Sequence, residues 1–128
     1  MTGSTQTTVV IADDDADIRA LVAIAVDRAG FELVATAEDG TQAYAAILEH
    51  RPDLVVLDVS MPGMTGLEVS RLVRSDIALD STMIVMLSAA VDQQSRDAGF
   101  EAGASHFLSK PFSPRELASR LSDLMPAS

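Results

Sequence analysis

Five side chains of this 128-residue chain could together carry out phosphoryl chemistry, namely Asp13, Asp14, Asp58, Ser88 and Lys110. Three carboxylates that meet repel one another, and a hard divalent cation relieves that repulsion. Oxygen ligands without cysteine favour Mg²⁺, which takes one or two carboxylates and keeps several waters. A metal, an ammonium group and a hydroxyl that converge on one carboxylate form a site for a transferring phosphoryl group. Asp58 is then the nucleophile, and its product is an acyl phosphate.

Asp58 stands at the end of an apolar run. Residues 54–57 are Leu-Val-Val-Leu, which is too short for a helix and indicates a strand buried on both faces. Pro62 and two glycines then force a loop. Since Asp is almost never buried unpaired, Asp58 needs partners from other parts of the chain.

Five predicted strands alternate with five predicted helices. The strands are 9–12, 33–37, 54–58, 82–87 and 106–108, and the helices are 16–29, 41–50, 66–74, 91–102 and one that begins at Pro114 behind the N-cap Ser113. The third helix is expected to bury Leu67, Val69, Leu72 and Val73 in part, and Gly99 weakens the fourth. This alternation predicts an α/β fold with a central parallel sheet.

The five chemical residues all follow strands. Asp13 and Asp14 follow the first strand, Asp58 ends the third, Ser88 follows the fourth and Lys110 follows the fifth. In a parallel sheet these ends share one edge, and ligands bind there at the point where the strand order reverses. With the strand order 2-1-3-4-5, that point lies between the first and third strands, where the three carboxylates meet.

Composition excludes several classes of function. The net charge is −10 and no basic cluster stands out, so direct nucleic-acid binding by this domain is not expected. The absence of Cys excludes disulfides, thiol catalysis and thiolate metal sites. The polar N-terminus lacks the features of a signal peptide, and no apolar run approaches the ~20 residues that cross a bilayer. We therefore expect a cytoplasmic protein without membrane contact.

The chain resembles a receiver domain of the response regulator family of two-component signalling. The resemblance covers about residues 8–125 and rests on Asp13-Asp14, Asp58 with Met61-Pro62 and Gly66, Ser88-Ala89 and Lys110-Pro111-Phe112. It implies a flavodoxin-like doubly wound sandwich with a five-stranded parallel sheet and five helices. Residues 1–7 would be a flexible N-terminal tail and residues 126–128 a C-terminal tail.

The resemblance also implies a metal site and a phosphoacceptor. Asp58 would accept a phosphoryl group from a histidine kinase or a phosphotransfer protein. Asp13 and Asp14 would hold Mg²⁺, one directly and one through water, together with Asp58 and the backbone carbonyl of Ser60. The protein would not be a dedicated enzyme, since only its own phosphorylation and dephosphorylation are expected.

Further implied roles concern the response to phosphorylation. Lys110 would pair with a phosphoryl oxygen, and Ser88 would turn inward to bond the phosphoryl group. Phe107 would move inward with Ser88 as the family's aromatic switch residue. The Lys110–Pro111 peptide bond would be cis, as such prolines often are in this family.

Two surfaces are implied for partners. The output face would include Gln93, Gln94, Asp97, His106 and Phe107, and the kinase-facing surface would include Ala16, Asp17, Ala20, Pro111 and Phe112. The kinase and the downstream target stay open, as does the choice between a stand-alone receiver and one cut from a longer regulator. A phosphorylation-dependent dimer is compatible with this output face.

The sequence departs from the commonest family pattern in a few places. Thr65 stands where Asp often precedes Gly66, Phe107 replaces a common Tyr, and Ser88 replaces a frequent Thr. Ser60 and Ala90, which flank the phosphoryl site, are both small.

Other interpretations are possible for the same residues. One Asp of residues 13–15, most simply Asp15, could cap the first helix, and Asp58 with Lys110 could be a structural ion pair. Asp13 and Asp15 also fit the nucleophile and acid/base of a haloacid-dehalogenase-type phosphatase, although the later acidic pair and the cap domain of that family are missing. A flavodoxin-like cofactor binder would need a phosphate-cradling loop after the first strand, where the acidic run would repel phosphate.

Overall fold

The computed structural model describes residues 6–89, 92–110 and 112–125. The strands of this part are β1 (Thr8–Ala12), β2 (Glu32–Ala37), β3 (Leu54–Asp58), β4 (Met83–Ser88) and β5 (His106–Ser109). The helices are α1 (Ala16–Arg28), α2 (Gly40–His50), α3 (Gly66–Arg74), a 3₁₀ turn (Ile77–Leu79), α4 (Gln93–Glu101) and α5 (Pro114–Leu124). Residues 1–5 and 126–128 of the two predicted tails lie outside the described residues.

The five strands form one parallel sheet in the order β2-β1-β3-β4-β5, as predicted. The reversal of strand order lies between β1 and β3, where Ala12 pairs with Leu57. The register therefore brings the residues after β1 beside Asp58 at the carboxyl edge of the sheet. Both predictions, the doubly wound α/β fold and the strand order, are confirmed.

The continuous apolar run of β3 is explained by burial on both faces. Leu54 and Val56 pack in a cluster with Val26 of α1 and Leu121 of α5. Val55 and Leu57 point into the opposite cluster, with Ile47 of α2, Val73 of α3 and Phe107 of β5. Every residue of β3 is buried, and a fully buried Val or Leu side chain contributes about 1.5–3 kcal/mol relative to an exposed one. The sheet that carries Asp58 is thus a rigid support.

Polar N-cap residues start the helices. Asp15 caps α1 by accepting from the backbone N–H groups of Asp17 and Ile18, and Ser113 caps α5, both as predicted. Thr65 caps α3 in a capping box with Glu68, which satisfies two backbone donors. Thr65, which departs from the family pattern before Gly66, is therefore the N-cap of α3.

Apart from shifts of one residue at the ends of several elements, the structure differs from the predictions at three places. Leu72, predicted to be partly buried, is 36% exposed, because the inward face of α3 is formed by Val69, Ser70 and Val73 instead. The 3₁₀ turn was not predicted. Helix α4 begins at Gln93 behind the N-cap Asp92 and is shorter than the predicted 91–102, of which Val91 lies outside the described residues.

Candidate functional site

A cleft of ≈ 620 Å³ opens at the carboxyl edge of the sheet. It is lined by Asp14, Asp58, Ser60, Met61, Pro62, Ser88, Ala89 and Lys110. These residues come from the ends of β1, β3, β4 and β5, so one crevice collects residues that are far apart in the sequence. The structure brings acidic, hydroxyl and ammonium groups together at the edge where the sequence predicts them.

The three acidic residues converge in a way that fits a hard cation. Asp13, Asp14 and Asp58 each offer a carboxylate oxygen, and these atoms lie within 4.8 Å of one another. Asp13 and Asp58 are 1% and 5% exposed, whereas Asp14 is exposed and faces the cleft. An all-oxygen donor set with one open side fits Mg²⁺, which retains several waters.

Lys110 joins the two buried carboxylates. Its Nζ lies 2.9 Å from Asp13 Oδ2 and 3.2 Å from Asp58 Oδ1. Its backbone N–H donates to the carbonyl of Ser88 at 2.8 Å, which ties the end of β5 to the end of β4. Burial acts to lower the pKa of Lys110, but the hydrogen bonds and charges of Asp13 and Asp58 outweigh it and raise that pKa. Lys110 is therefore a fixed cation.

The surroundings of Asp58 raise its pKa. Burial and the neighbouring charge of Asp13 raise its pKa from 3.8 to about 6, against the lowering effects of Lys110 and of the Ser60 N–H. At neutral pH most of Asp58 is still the carboxylate, which is the form that a nucleophile requires. The raised pKa marks a carboxylate whose negative charge is only partly compensated within the protein.

Asp13, in contrast, is closed off by its own contacts. Its Oδ1 accepts from the N–H of Asp15 at 2.9 Å, and its Oδ2 accepts from Lys110. Its N–H donates to Ala37 of β2, and its carbonyl accepts from the guanidinium of Arg19. Arg19 was not identified from the sequence, because nothing in its neighbourhood distinguishes it from the other arginines of the helices.

The loop after β3 returns to Asp58. The N–H of Gly66 donates to the carbonyl of Val59, and a Cβ added at Gly66 would collide with the backbone carbonyl of Asp58. The N–H of Ser60 lies 3.4 Å from Asp58 Oδ1. Gly66 is therefore required where α3 starts against the phosphoacceptor candidate, which gives this glycine a steric reason.

Ser88 and Phe107 occupy different surroundings. Ser88, 7% exposed, ends β4 and lines the cleft. Phe107 is 5% exposed and lies in the core under α4. The guanidinium carbon of Arg96 lies 5.6 Å from the centre of its ring, and the ring of Phe100 lies 6.5 Å away. The inward movement of Ser88 and Phe107 stays a prediction, and Ala90 and Pro111 lie outside the described residues.

Known proteins resemble this chain over most of its length. The family model of the response regulator receiver domain matches residues 9–122. The chain is 41% identical over 114 residues to the phosphate regulon transcriptional regulatory protein PhoB of Pseudomonas aeruginosa, which covers 89% of this chain and 49% of that protein. It is 42% identical to the DNA-binding response regulator MtrA of Mycobacterium tuberculosis, over 88% of this chain and 48% of that protein.

Solved structures agree with these sequence matches. The chemotaxis response regulator CheY4 of Vibrio cholerae is 35% identical, with a TM-score of 0.87 over 94% of this chain and 100% of that chain. The match covers the whole chain of that structure, whereas this chain spans about half the length of the curated relatives above. Among the described residues, no helix is both long enough and apolar enough to cross a membrane.

Proposed function

The chain belongs to the response regulator receiver family, and we propose that it is a phosphorylation-activated switch with Asp58 as the phosphoacceptor. One observation carries the proposal: of the two buried carboxylates, Asp58 lines the open cleft beside Asp14, Ser88 and Lys110. A phosphodonor that enters the cleft meets the Asp58 carboxylate together with an ammonium group and a hydroxyl. That is the arrangement that phosphoryl transfer needs.

The residues that would hold Mg²⁺ are Asp13, Asp14 and Asp58 through their carboxylates, together with the backbone carbonyl of Ser60, which lines the same cleft and which the family resemblance implies. The bound cation would neutralise the charge of the phosphoryl oxygens. Asp58 attacks the phosphorus through a carboxylate oxygen, and the donor departs with its bonding electrons. The new bond is the acyl phosphate of Asp58.

Lys110 and Ser88 bind the phosphoryl oxygens after transfer. Lys110 is held by Asp13 and Asp58, and it turns one of its N–H donors to a phosphoryl oxygen. Ser88 donates its hydroxyl to another phosphoryl oxygen. Phe107 follows Ser88, and the face formed by α4, β5 and α5 changes its contacts with other proteins. Lys110 and Ser88 thereby convert a chemical event at the cleft into a change of surface.

The proposed donor is a histidine kinase or a histidine phosphotransfer protein. The surface for it is the start of α1 with Ala16, Asp17 and Ala20, together with Phe112 after β5. PhoB and MtrA are named as transcriptional and DNA-binding regulators, and the region that matches this chain is about half of each protein. For this chain, whether stand-alone or part of a longer regulator, the proposed output is a protein contact, including a phosphorylation-dependent dimer.

The alternative of a phosphatase with Asp13 as the nucleophile is less well supported. Asp13 is 1% exposed, and both of its carboxylate oxygens already accept hydrogen bonds, from Asp15 and Lys110. A nucleophile needs a lone pair that faces the substrate, and only Asp58 of these two residues lines the cleft. Asp13 is instead assigned to the cation site, because it offers an oxygen within 4.8 Å of those of Asp14 and Asp58, and to the support of Lys110.

The experiment that tests the proposal measures phosphorylation from a small donor such as acetyl phosphate. The intact mass should rise by one phosphoryl group in the presence of Mg²⁺, and not in the presence of a chelator. Asp58→Asn should abolish the increment, whereas Asp123→Asn, which removes an exposed carboxylate of α5, should leave it unchanged. Phosphorylation that persists in Asp58→Asn would refute the assignment of Asp58.

A further inference from the structure

Arg19 reaches from α1 to the acidic end of β1. Its side chain is 19% exposed, and its Nη1 donates to the backbone carbonyl of Asp13 at 2.8 Å. Its Nη2 lies 4.0 Å from Glu38 Oε1 at the end of β2, a weaker contact because the Glu38 side chain is 68% exposed. The bond to the carbonyl is the stronger contact, since 2.8 Å is a hydrogen-bond distance and 4.0 Å is not.

The carbonyl that Arg19 holds belongs to the peptide bond between Asp13 and Asp14. A peptide unit is planar, so a bond that fixes its oxygen also fixes the direction in which the chain leaves toward the Cα of Asp14. The next peptide unit is fixed as well, because the N–H of Asp15 donates to Asp13 Oδ1 at 2.9 Å. Asp14 is thus held between two anchored peptide units.

Asp14 has no comparable support of its own. Its carboxylate is exposed, and no hydrogen bond or ion pair to it is present among the described residues. Even so, it offers an oxygen within 4.8 Å of those of Asp13 and Asp58. Its approach to the other two carboxylates therefore depends on its backbone, and Arg19 holds one of the two peptide units that set it.

The charge of Arg19 makes its position informative. A guanidinium bound to the backbone at the acidic end of β1 lowers the attraction of that site for any cation. A guanidinium therefore cannot help the cation site by its charge, and its contribution has to be geometric. Its planar fork, which a lysine lacks, allows one side chain to contact both the end of β1 and the end of β2.

We propose that Arg19 is a positioning residue of the cation site, which holds the Asp13–Asp14 peptide unit so that the Asp14 carboxylate converges with those of Asp13 and Asp58. The inference rests on the proposed function, because it concerns the same site, and it adds a residue from α1 that touches neither the cation nor the phosphoryl group.

The test is the Mg²⁺ affinity of Arg19→Met, measured by calorimetric or NMR titration without any phosphodonor. We expect Mg²⁺ to bind about tenfold more weakly, which is the usual effect of removing a residue that orients a metal ligand. Loss of the positive charge alone would tighten Mg²⁺ binding. The direction of the change in affinity therefore distinguishes a geometric role of Arg19 from an effect of its charge. Arg28→Met removes the same charge from the exposed last turn of α1 and should leave the affinity near that of the wild type.

Mg²⁺ affinity that is unchanged or tighter in folded Arg19→Met would overturn the inference. Arg19→Lys keeps the charge but not the fork, and its affinity should lie between those of wild type and Arg19→Met. If Arg19→Met does not fold, wild-type affinity in Arg19→Lys would overturn the inference instead.

Asp14→Asn separates this inference from the proposed function. Loss of Mg²⁺ binding in Asp14→Asn with full binding in Arg19→Met refutes only the role of Arg19. Undiminished binding in Asp14→Asn refutes the cation site itself.

Discussion

At the scale of single residues, the site is an arrangement of two buried carboxylates and one half-buried ammonium group. Asp13 and Asp58 lie on either side of Lys110, and Asp13 has the shorter contact and the more complete set of partners. Asp58 is left with a charge that its surroundings balance only in part, as its pKa of about 6 indicates. The residue with the least compensated charge is also the one that faces the cleft.

This imbalance predicts a pH-dependent stability in metal-free buffer. The pKa of Asp58 is raised from 3.8 to about 6 on folding, so the native state binds the extra proton between these values and is favoured by low pH. The contribution of Asp58 to stability is therefore lost as the pH rises from about 4 to about 7, by about 3 kcal/mol at about 1.4 kcal/mol per pKa unit.

Asp58→Asn mimics the protonated side chain and has no titrating group at this position. It should therefore not lose this part of the free energy of unfolding as the pH rises. Its advantage in free energy of unfolding should grow from about pH 4 to about pH 7, as measured by urea unfolding at each pH. Asp123→Asn is the matched control for the loss of one carboxylate. A difference between wild type and Asp58→Asn that stays constant over this range would contradict the environment described for Asp58.

At the scale of elements, α4 is attached to the rest of the molecule mainly at its C-terminal end. The buried Ser70 of α3 donates its Oγ to the carbonyl of Ala102 at 2.7 Å. Arg74 donates to the carbonyl of Gly103 at 2.8 Å and to Ser105 Oγ at 3.2 Å. Along its length, α4 also covers the ring of Phe107 through Arg96 and Gly99.

Gly99 is expected to be a packing requirement of this arrangement. A Cβ at this position would lie 2.8 Å from Cδ2 of Phe107, so Gly99→Ala forces the ring or the helix to move. Overpacking costs about 1–3 kcal/mol, which should outweigh the gain of about 1 kcal/mol in helix propensity. We expect Gly99→Ala to lower the free energy of unfolding in chemical denaturation.

A double-mutant cycle with Phe107→Leu provides the control. With the smaller Leu at this position, Gly99→Ala should become neutral or stabilising, because the collision is removed and only the helix propensity is left. If Gly99→Ala stabilises the protein equally in both backgrounds, then Gly99 is not required by the packing against Phe107.

The same elements show what the sequence can and cannot predict. The apolar run of β3 and the residues that follow each strand predicted the sheet and the members of the cleft, because burial and strand ends are local signals. The hydrogen bond of Ser70 with the backbone carbonyl of Ala102 joins residues 32 positions apart, and no pattern of residue types predicts it. The contact of Arg19 was not predicted for the same reason, since its partner is a backbone carbonyl and not a side chain.

At the scale of the whole molecule, negative charge is concentrated where a cation is proposed to bind. The net charge is −10, and the structure places three of the acidic side chains together at one edge of the sheet. A ligand that binds only the native state stabilises it by mass action, by about 2.7 kcal/mol at a concentration of 100 times the dissociation constant. The repulsion at the site then becomes a source of ligand-dependent stability.

Mg²⁺ is accordingly expected to raise the thermal unfolding midpoint. The increase should be larger than with NaCl of matched ionic strength, because NaCl only screens the net charge. In Asp14→Asn the Mg²⁺-specific part of the increase should be lost. An equal increase with Mg²⁺ and with NaCl in the wild type would indicate that the three carboxylates do not bind the cation specifically.

The central claim is that Asp58 carries the phosphoryl group, and the most direct measurement is to locate that group on the chain. The protein is phosphorylated with acetyl phosphate and Mg²⁺, the acyl phosphate is reduced with borohydride, and the modified residue is identified by tandem mass spectrometry. The assignment of Asp58 as the phosphoacceptor predicts reduction at Asp58, with Asp13 and Asp14 unmodified. Reduction at Asp13, as expected for the phosphatase-type nucleophile, would contradict it.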